Sequence, residues 1–168
     1  YNNDLEKAII LSDTPVVDGV NLFLDRDGVV IKDKHHLSEP DKVELELGSY
    51  DLFKWLEQNG VNAIIITNQS GISRGLFSWN DYIEVTEKML DKLNYPKALL
   101  AIYANGYSSD SSENTWRKPN PGMFLEAQNK FNLNQKKSLV IGDRLTDIIA
   151  GAKAGITEAC HVLTGHGQ

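Results

Sequence analysis

A chain of 168 residues, 41% hydrophobic and 24% charged, suits one ordinary globular domain with a sizeable buried core. Its net charge of −6 and pI near 5.2 give no general attraction for nucleic acid or anionic membranes. A single cysteine, Cys160, excludes an intrachain disulfide and a Cys-rich zinc site and fits a reducing, cytoplasmic setting, and neither a bilayer-spanning apolar run nor a secretory leader is expected.

In chain order, residues 1–20 have no clear pattern and form an N-terminal segment of unassigned role, while 21–168 read as the domain itself. NLFLD (21–25) reads as a buried strand that ends in charge. GSYDLFKWLEQNG (48–60) reads as a helix with Leu52, Phe53, Trp55 and Leu56 on its apolar side and Gly60 as its stop. VNAIIITN (61–68) has the near-continuous apolar run of a central parallel strand. SWNDYIEVTEKMLDKLN (78–94) is a helix, with Ser78 and Asp81 spaced for a capping box. KALLAIYA (97–104) is a third central strand, and PGMFLEAQNKFN (121–132) is a helix with Pro121 near its first turn. SLVIGD (138–143) is a strand, TDIIAGAKAG (146–155) a short helix, and ITEACHVL (156–163) a last or edge strand that would bury Cys160. Trp55 and Trp79 read as packing residues. Strands alternating with helices imply βαβ units and a mainly parallel sheet.

Ligands of such a sheet bind beyond the carboxyl ends of its strands. Four predicted strands end or lead into polar clusters: Asp25-Arg26-Asp27, Thr67-Asn68-Gln69-Ser70-Gly71, Tyr103 onward to Arg117-Lys118, and Gly142-Asp143-Arg144. Asp25 and Asp27, joined by Asp143, would bring three carboxylates to one point, and such crowding demands a cation. A few hard oxygen ligands suit Mg²⁺, which shares its coordination with phosphate. Thr67, Asn68 and Lys118 offer a hydroxyl, an amide and an ammonium to phosphate oxygens, and Gly71 and Gly75 permit close approach of backbone N–H groups. The set reads as phosphoryl transfer, with one carboxylate attacking phosphorus and a neighbour handling the proton.

The segments DRDGVV, TNQSGISRG, RKPNPGM and IGDRLTDIIAGAKAGI, spread over residues 21–165, together resemble the haloacid dehalogenase superfamily of phosphatases. Their wording is most similar to the histidinol-phosphate and D-glycero-D-manno-heptose 1,7-bisphosphate phosphatase branch. The resemblance implies a Rossmann-like three-layer α/β sandwich. It implies Asp25 as nucleophile through an aspartyl-phosphate and Asp27 as general acid, then base. It places Mg²⁺ on Asp25, the Asp27 backbone carbonyl and Asp143, and the transferring phosphate on Thr67, Asn68 and Lys118. Arg117 and Arg74 would meet the rest of the substrate, a small phosphorylated metabolite, with a heptose bisphosphate expected ahead of histidinol phosphate.

About 40 residues separate Asp25 from Thr67 and about 50 separate Thr67 from Lys118, too few to add a large cap domain. Relatives in this branch often carry a zinc loop patterned Cys-x-His and Cys-x-Cys-Arg-Lys-Pro; here the matching positions hold Ala104, Gly106, Asn114 and Trp116. Asp110 and Glu113 are too few to close a tetrahedral site, so no zinc is expected and Trp116 is expected to pack the end of the loop. His35 and His36 are adjacent, a poor metal-ligand spacing, and read as loop residues. Asp147 and Thr146 read as caps of the last helix that support Asp143. A monomer is favoured. The competing reading is a signalling receiver, whose phosphate-accepting Asp sits on a middle strand; the middle predicted strand here offers ITNQS.

Overall fold

A computed structural model of the chain describes residues 3–112 and 114–165; Glu113, one of the two loop carboxylates considered above, lies outside them. Six strands form one sheet: β1 Glu6–Ile10, β2 Asn21–Leu24, β3 Asn62–Asn68, β4 Leu99–Asn105, β5 Ser138–Gly142 and β6 Glu158–His161. Their order is β1-β4-β3-β2-β5-β6, all parallel except β1, which pairs antiparallel with β4. The helices are α1 Ser49–Gln58, α2 Trp79–Lys92, α3 Gly122–Phe131 and α4 Leu145–Lys153.

Side chains alternate across a strand, so each central strand feeds two cores. Leu22, Leu24, Ala63 and Ile65 pack with Phe53 and Leu56 of α1 and Val85 and Met89 of α2. Phe23, Ile64 and Ile66 pack with Met123, Phe124 and Ala127 of α3 and Ala150 of α4. The result is the expected three-layer α/β sandwich. The capping box on α2 forms in both directions between Ser78 and Asp81.

The N-terminal segment, left unassigned above, gains a place in the fold, and three expectations need correction. The N-terminal segment supplies β1, and its continuation is pinned beneath the sheet: buried Asn62 accepts from Val16 N at 2.8 Å and donates to Val16 O at 3.0 Å. Cys160 is exposed, because β6 is a short edge strand whose four residues all face solvent. Trp55 is 53% exposed. It lies about 200° around the helix from buried Phe53, beyond the stripe that faces the sheet. Finally, β2 and β3 are both central in the sheet, so strand position gives no reason to set the Asp25 strand apart from that of a receiver.

Candidate active site

The sheet changes direction at β2: the chain steps to β3 and β4 on one side and later returns to β5 and β6 on the other. The carboxyl ends of adjacent β2 and β5 therefore open at a topological switch point, where α/β sheets bind ligands. Asp25 follows β2 and Asp143 follows β5. A cavity of about 240 Å³ sits there, lined by Asp25, Asp27, Asn68, Gln69, Arg117 and Lys118, with Asp147 at the start of α4. A larger groove of about 620 Å³ opens at the other end of the strands. Its walls are mainly apolar, and its one carboxylate, Glu57, is occupied by the Lys97 backbone N–H, so the chemistry lies in the smaller cavity.

Lys118 is the hub. Its ammonium is 3% exposed and donates to Asp25 Oδ1 at 3.0 Å, Asp147 Oδ1 at 2.6 Å and the Ile66 carbonyl at 2.8 Å. Burial alone would pull its pKa down, but Asp147 and Asp25 outweigh this and hold it above the usual lysine range. Asp25 Oδ1 also accepts from Arg26 N at 2.9 Å, which leaves Oδ2 without either donor. The Asp25 carboxyl is raised well above its ordinary value, first by burial and then by Asp147, Asp27 and Asp143, with Lys118 opposing.

Asp25, Asp143 and Asp147 each present an oxygen within 4.8 Å of the others. This set of hard anionic donors, crowded at one point, fits Mg²⁺. Gly28, with φ of +88°, makes the approach possible: a Cβ there would lie 2.3 Å from Asp143 Oδ2. Asp147 does cap α4, accepting from Arg144 N at 3.2 Å, but it also binds Lys118 and belongs to the carboxylate group, a fuller part than the helix cap and support for Asp143 read from sequence.

The side chain of Asp27 turns away from that group. Arg26 Nε and Nη2 hold its two oxygens at 3.1 Å each, and Gln69 Nε2 reaches Oδ2 at 2.9 Å. Thr67 is fully buried beneath the cavity, and its hydroxyl accepts from Gln69 at 2.8 Å. Gly71 and Gly75 are explained without a phosphate: a Cβ on Gly71 would strike the Phe77 ring at 2.2 Å, and Gly75 N bonds to Ile72 O in a turn with φ of +70°.

Asn68 lines the cavity and also braces Lys118. Its amide holds Lys118: Oδ1 accepts from Lys118 N at 3.0 Å and Nδ2 donates to Lys118 O at 3.2 Å, while Asn105 Nδ2 donates to Oδ1 at 2.8 Å. Asn68 thus holds the backbone of the hub lysine with its carbonyl and one of its two amide hydrogens. Asn68→Ala is expected to lower stability by about 1–3 kcal/mol, since it strands buried partners. It should reduce kcat while leaving inhibition by inorganic phosphate unchanged; a matching loss of phosphate inhibition would show direct contact instead.

At the mouth, Arg74 and Arg144 are exposed and Arg117 is half-buried. Arg117 Nη1 donates to Tyr107 O at 2.8 Å, and its pKa is lowered by burial and by Arg144. His35 and His36 sit in a loop, as expected, yet both line the cavity, and Arg74 Nη1 donates to His36 Nε2 at 3.3 Å. The 104–116 loop is tied by Asn120 Nδ2 to Ser112 O and Thr115 O, and Trp116 packs edge-on to Tyr103 at 5.8 Å rather than roofing the cavity. The sequence names Arg26 and Gln69 only as members of strand-end clusters and gives no role to Asn105 or Asn120; Asn120 stands inside RKPNPGM, where an amide beside Lys118 is the available signal.

Among the described residues no helix is long and apolar enough to cross a membrane. A HAD-hydrolase-like family model matches residues 115–168. The chain is 36% identical over 142 residues to a D-glycero-alpha-D-manno-heptose-1,7-bisphosphate 7-phosphatase of Burkholderia mallei, covering 80% of this chain and 75% of the relative. It is 33% identical over 144 residues to a D-glycero-beta-D-manno-heptose-1,7-bisphosphate 7-phosphatase of Mesorhizobium japonicum, covering 82% of this chain but only 66% of that relative. The crystal structure of a D,D-heptose 1,7-bisphosphate phosphatase from B. bronchiseptica, complexed with magnesium and phosphate, is similar with a TM-score of 0.79 at 30% identity, over 88% of this chain and 83% of that one.

Proposed function

This chain belongs to the HAD-like phosphatase family, and on that premise we propose that it hydrolyses a sugar bisphosphate, D-glycero-D-manno-heptose 1,7-bisphosphate, with Mg²⁺ in a cytoplasmic setting. The observation that carries the proposal is the buried Lys118 bridging Asp25 and Asp147, with Asp143 beside them, at the switch point of the sheet. The chain spans about two-thirds to four-fifths of the relatives it matches, and their substrate supports this reading.

Asp25, Asp143 and Asp147 would hold Mg²⁺, with the Asp27 carbonyl joining them. When bound, the ion supplies charge neutralisation for the phosphate and for the crowded carboxylates. Asp25 Oδ2, the oxygen not engaged by Arg26 N or Lys118, attacks phosphorus. The P–O ester bond breaks, its electron pair stays on the ester oxygen, and Asp27 delivers a proton there to release the alcohol. Water then attacks the aspartyl-phosphate while Asp27 takes its proton, which frees phosphate and restores Asp25. Lys118 stabilises the developing negative charge throughout, held in place by Asn68. Arg117, Arg74 and Arg144 give the mouth the charge to accept a second phosphate.

The test is turnover with Mg²⁺ against heptose 1,7-bisphosphate, sugar monophosphates and histidinol phosphate. The bisphosphate is expected to give the highest kcat/KM, and Arg117→Ala should lower it at least ~10-fold more for the bisphosphate than for an aryl phosphate. Preference for histidinol phosphate would replace the substrate assignment. Metal analysis should find activity that depends on Mg²⁺ alone; a stoichiometric zinc, or activity restored only by zinc, would overturn that part.

A further inference from the structure

We infer that Arg26 is the positioning residue for Asp27, and that the Arg26–Asp27–Gln69 contact selects Asp27 Oδ1 as the oxygen that carries the transferred proton. This rests on the reading of Asp27 as general acid and base given above.

Arg26 is 1% exposed, a place where a guanidinium is costly unless it is paired. Among the described residues its side-chain hydrogen bonds reach one partner: Nε and Nη2 form a fork on the two Asp27 oxygens, 3.1 Å each, and Nη1 has no bond. The fork itself is braced, since the guanidinium carbon lies 5.5 Å from the ring centre of Tyr82, a buried residue of α2. Packing alone would be served better by an apolar side chain of similar volume. Two parallel bonds fix the plane of a carboxylate as well as its place, which one point charge cannot do.

Gln69 completes the selection. A carboxylate has about two lone pairs on each oxygen. Oδ2 accepts from Arg26 Nε and Gln69 Nε2, so both are used; among the described residues Oδ1 accepts only from Arg26 Nη2. The remaining position on Oδ1 is where the proton resides before it passes to the ester oxygen, as the Asp25–phosphorus bond forms and the ester bond breaks. The half-reaction with water runs the proton back to the same oxygen.

The experiment compares a poor and a good leaving group. Heptose 1,7-bisphosphate releases an alkoxide that needs the proton; p-nitrophenyl phosphate releases a phenolate that does not. The parameter is kcat/KM, which covers steps through leaving-group departure and excludes the later hydrolysis. Arg26→Met is expected to lower kcat/KM on the order of 10²-fold on the sugar ester. On the aryl ester the loss should stay within about threefold. Arg26→Lys should fall between wild type and Arg26→Met, because its ammonium keeps the charge without the fork. Melting curves accompany each variant, and if Arg26→Met does not fold, Arg26→Lys and Gln69→Leu carry the same comparison. Asp27→Asn is the control. If it discriminates between the esters and the folded Arg26 or Gln69 variants lose equally on both, Arg26 is a structural brace and the inference fails. If Asp27→Asn itself loses equally on both, the general-acid reading has failed instead.

Discussion

Asp25→Asn is expected to lower phosphate release from the sugar bisphosphate by ~10⁴-fold or more while the protein stays folded. Asparagine keeps the shape and can still accept from Arg26 N and Lys118, but its amide nitrogen cannot attack phosphorus to form an acyl phosphate. The stability side of the same substitution has the opposite sign. Asp25 has a raised carboxyl, driven first by burial and then by its carboxylate neighbours, so its ionised form costs stability in metal-free buffer. Its contribution is fully present below the ordinary value of 3.8 and is lost as pH rises through the raised folded value. At neutral pH, with a chelator, Asp25→Asn should therefore melt at or above wild type, and Mg²⁺ should raise its melting temperature less. A calorimetric scan with and without Mg²⁺ reads this directly. Activity near wild type in folded Asp25→Asn would remove the nucleophile assignment, and a lower melting temperature in chelator would show that the carboxylates are better compensated than their crowding implies.

Lys118→Met should lose both stability and turnover. The ammonium is the shared partner of Asp25 and Asp147, and removing one member of a buried ion pair typically costs about 3–5 kcal/mol because the other is stranded. The loss should be present across neutral pH. The lysine pKa is raised in the fold, so its contribution is complete below the ordinary value of 10.5 and declines only as pH rises beyond it. Turnover should drop on the order of 10²–10³-fold, as for loss of one preorganised donor at a transition state. Raising Mg²⁺ should recover part of the melting temperature, since a second cation relieves the same carboxylates, without recovering kcat. Equal rescue of both would mean that Lys118 serves only to balance charge.

The hydrophobic periods of β3, α2 and β5, the capping box at Ser78, the strand-end charges at Asp25 and Asp143 and the lysine of RKPNPGM were all legible in the chain itself. Each is a local pattern: a period of 2 or 3.6, a cap three residues from its partner, or a carboxylate placed where a buried strand stops. These determined the α/β class and the chemistry of the site. The edge of the sheet was not legible, because EKAII is too short and mixed to announce β1, and an apolar run cannot reveal that β6 has no cover over Cys160. Nor were the partners inside the site. Whether an amide faces a ligand or the backbone of Lys118 depends on how closely β3 brings Asn68 to a segment 50 residues later. The same holds for Gln69, 42 residues from Asp27. Residue type and motif order set what these groups can donate and accept; only the packing of the strands decided whom they meet, because a hydrogen bond is fixed by tenths of an ångström that no one-dimensional pattern carries.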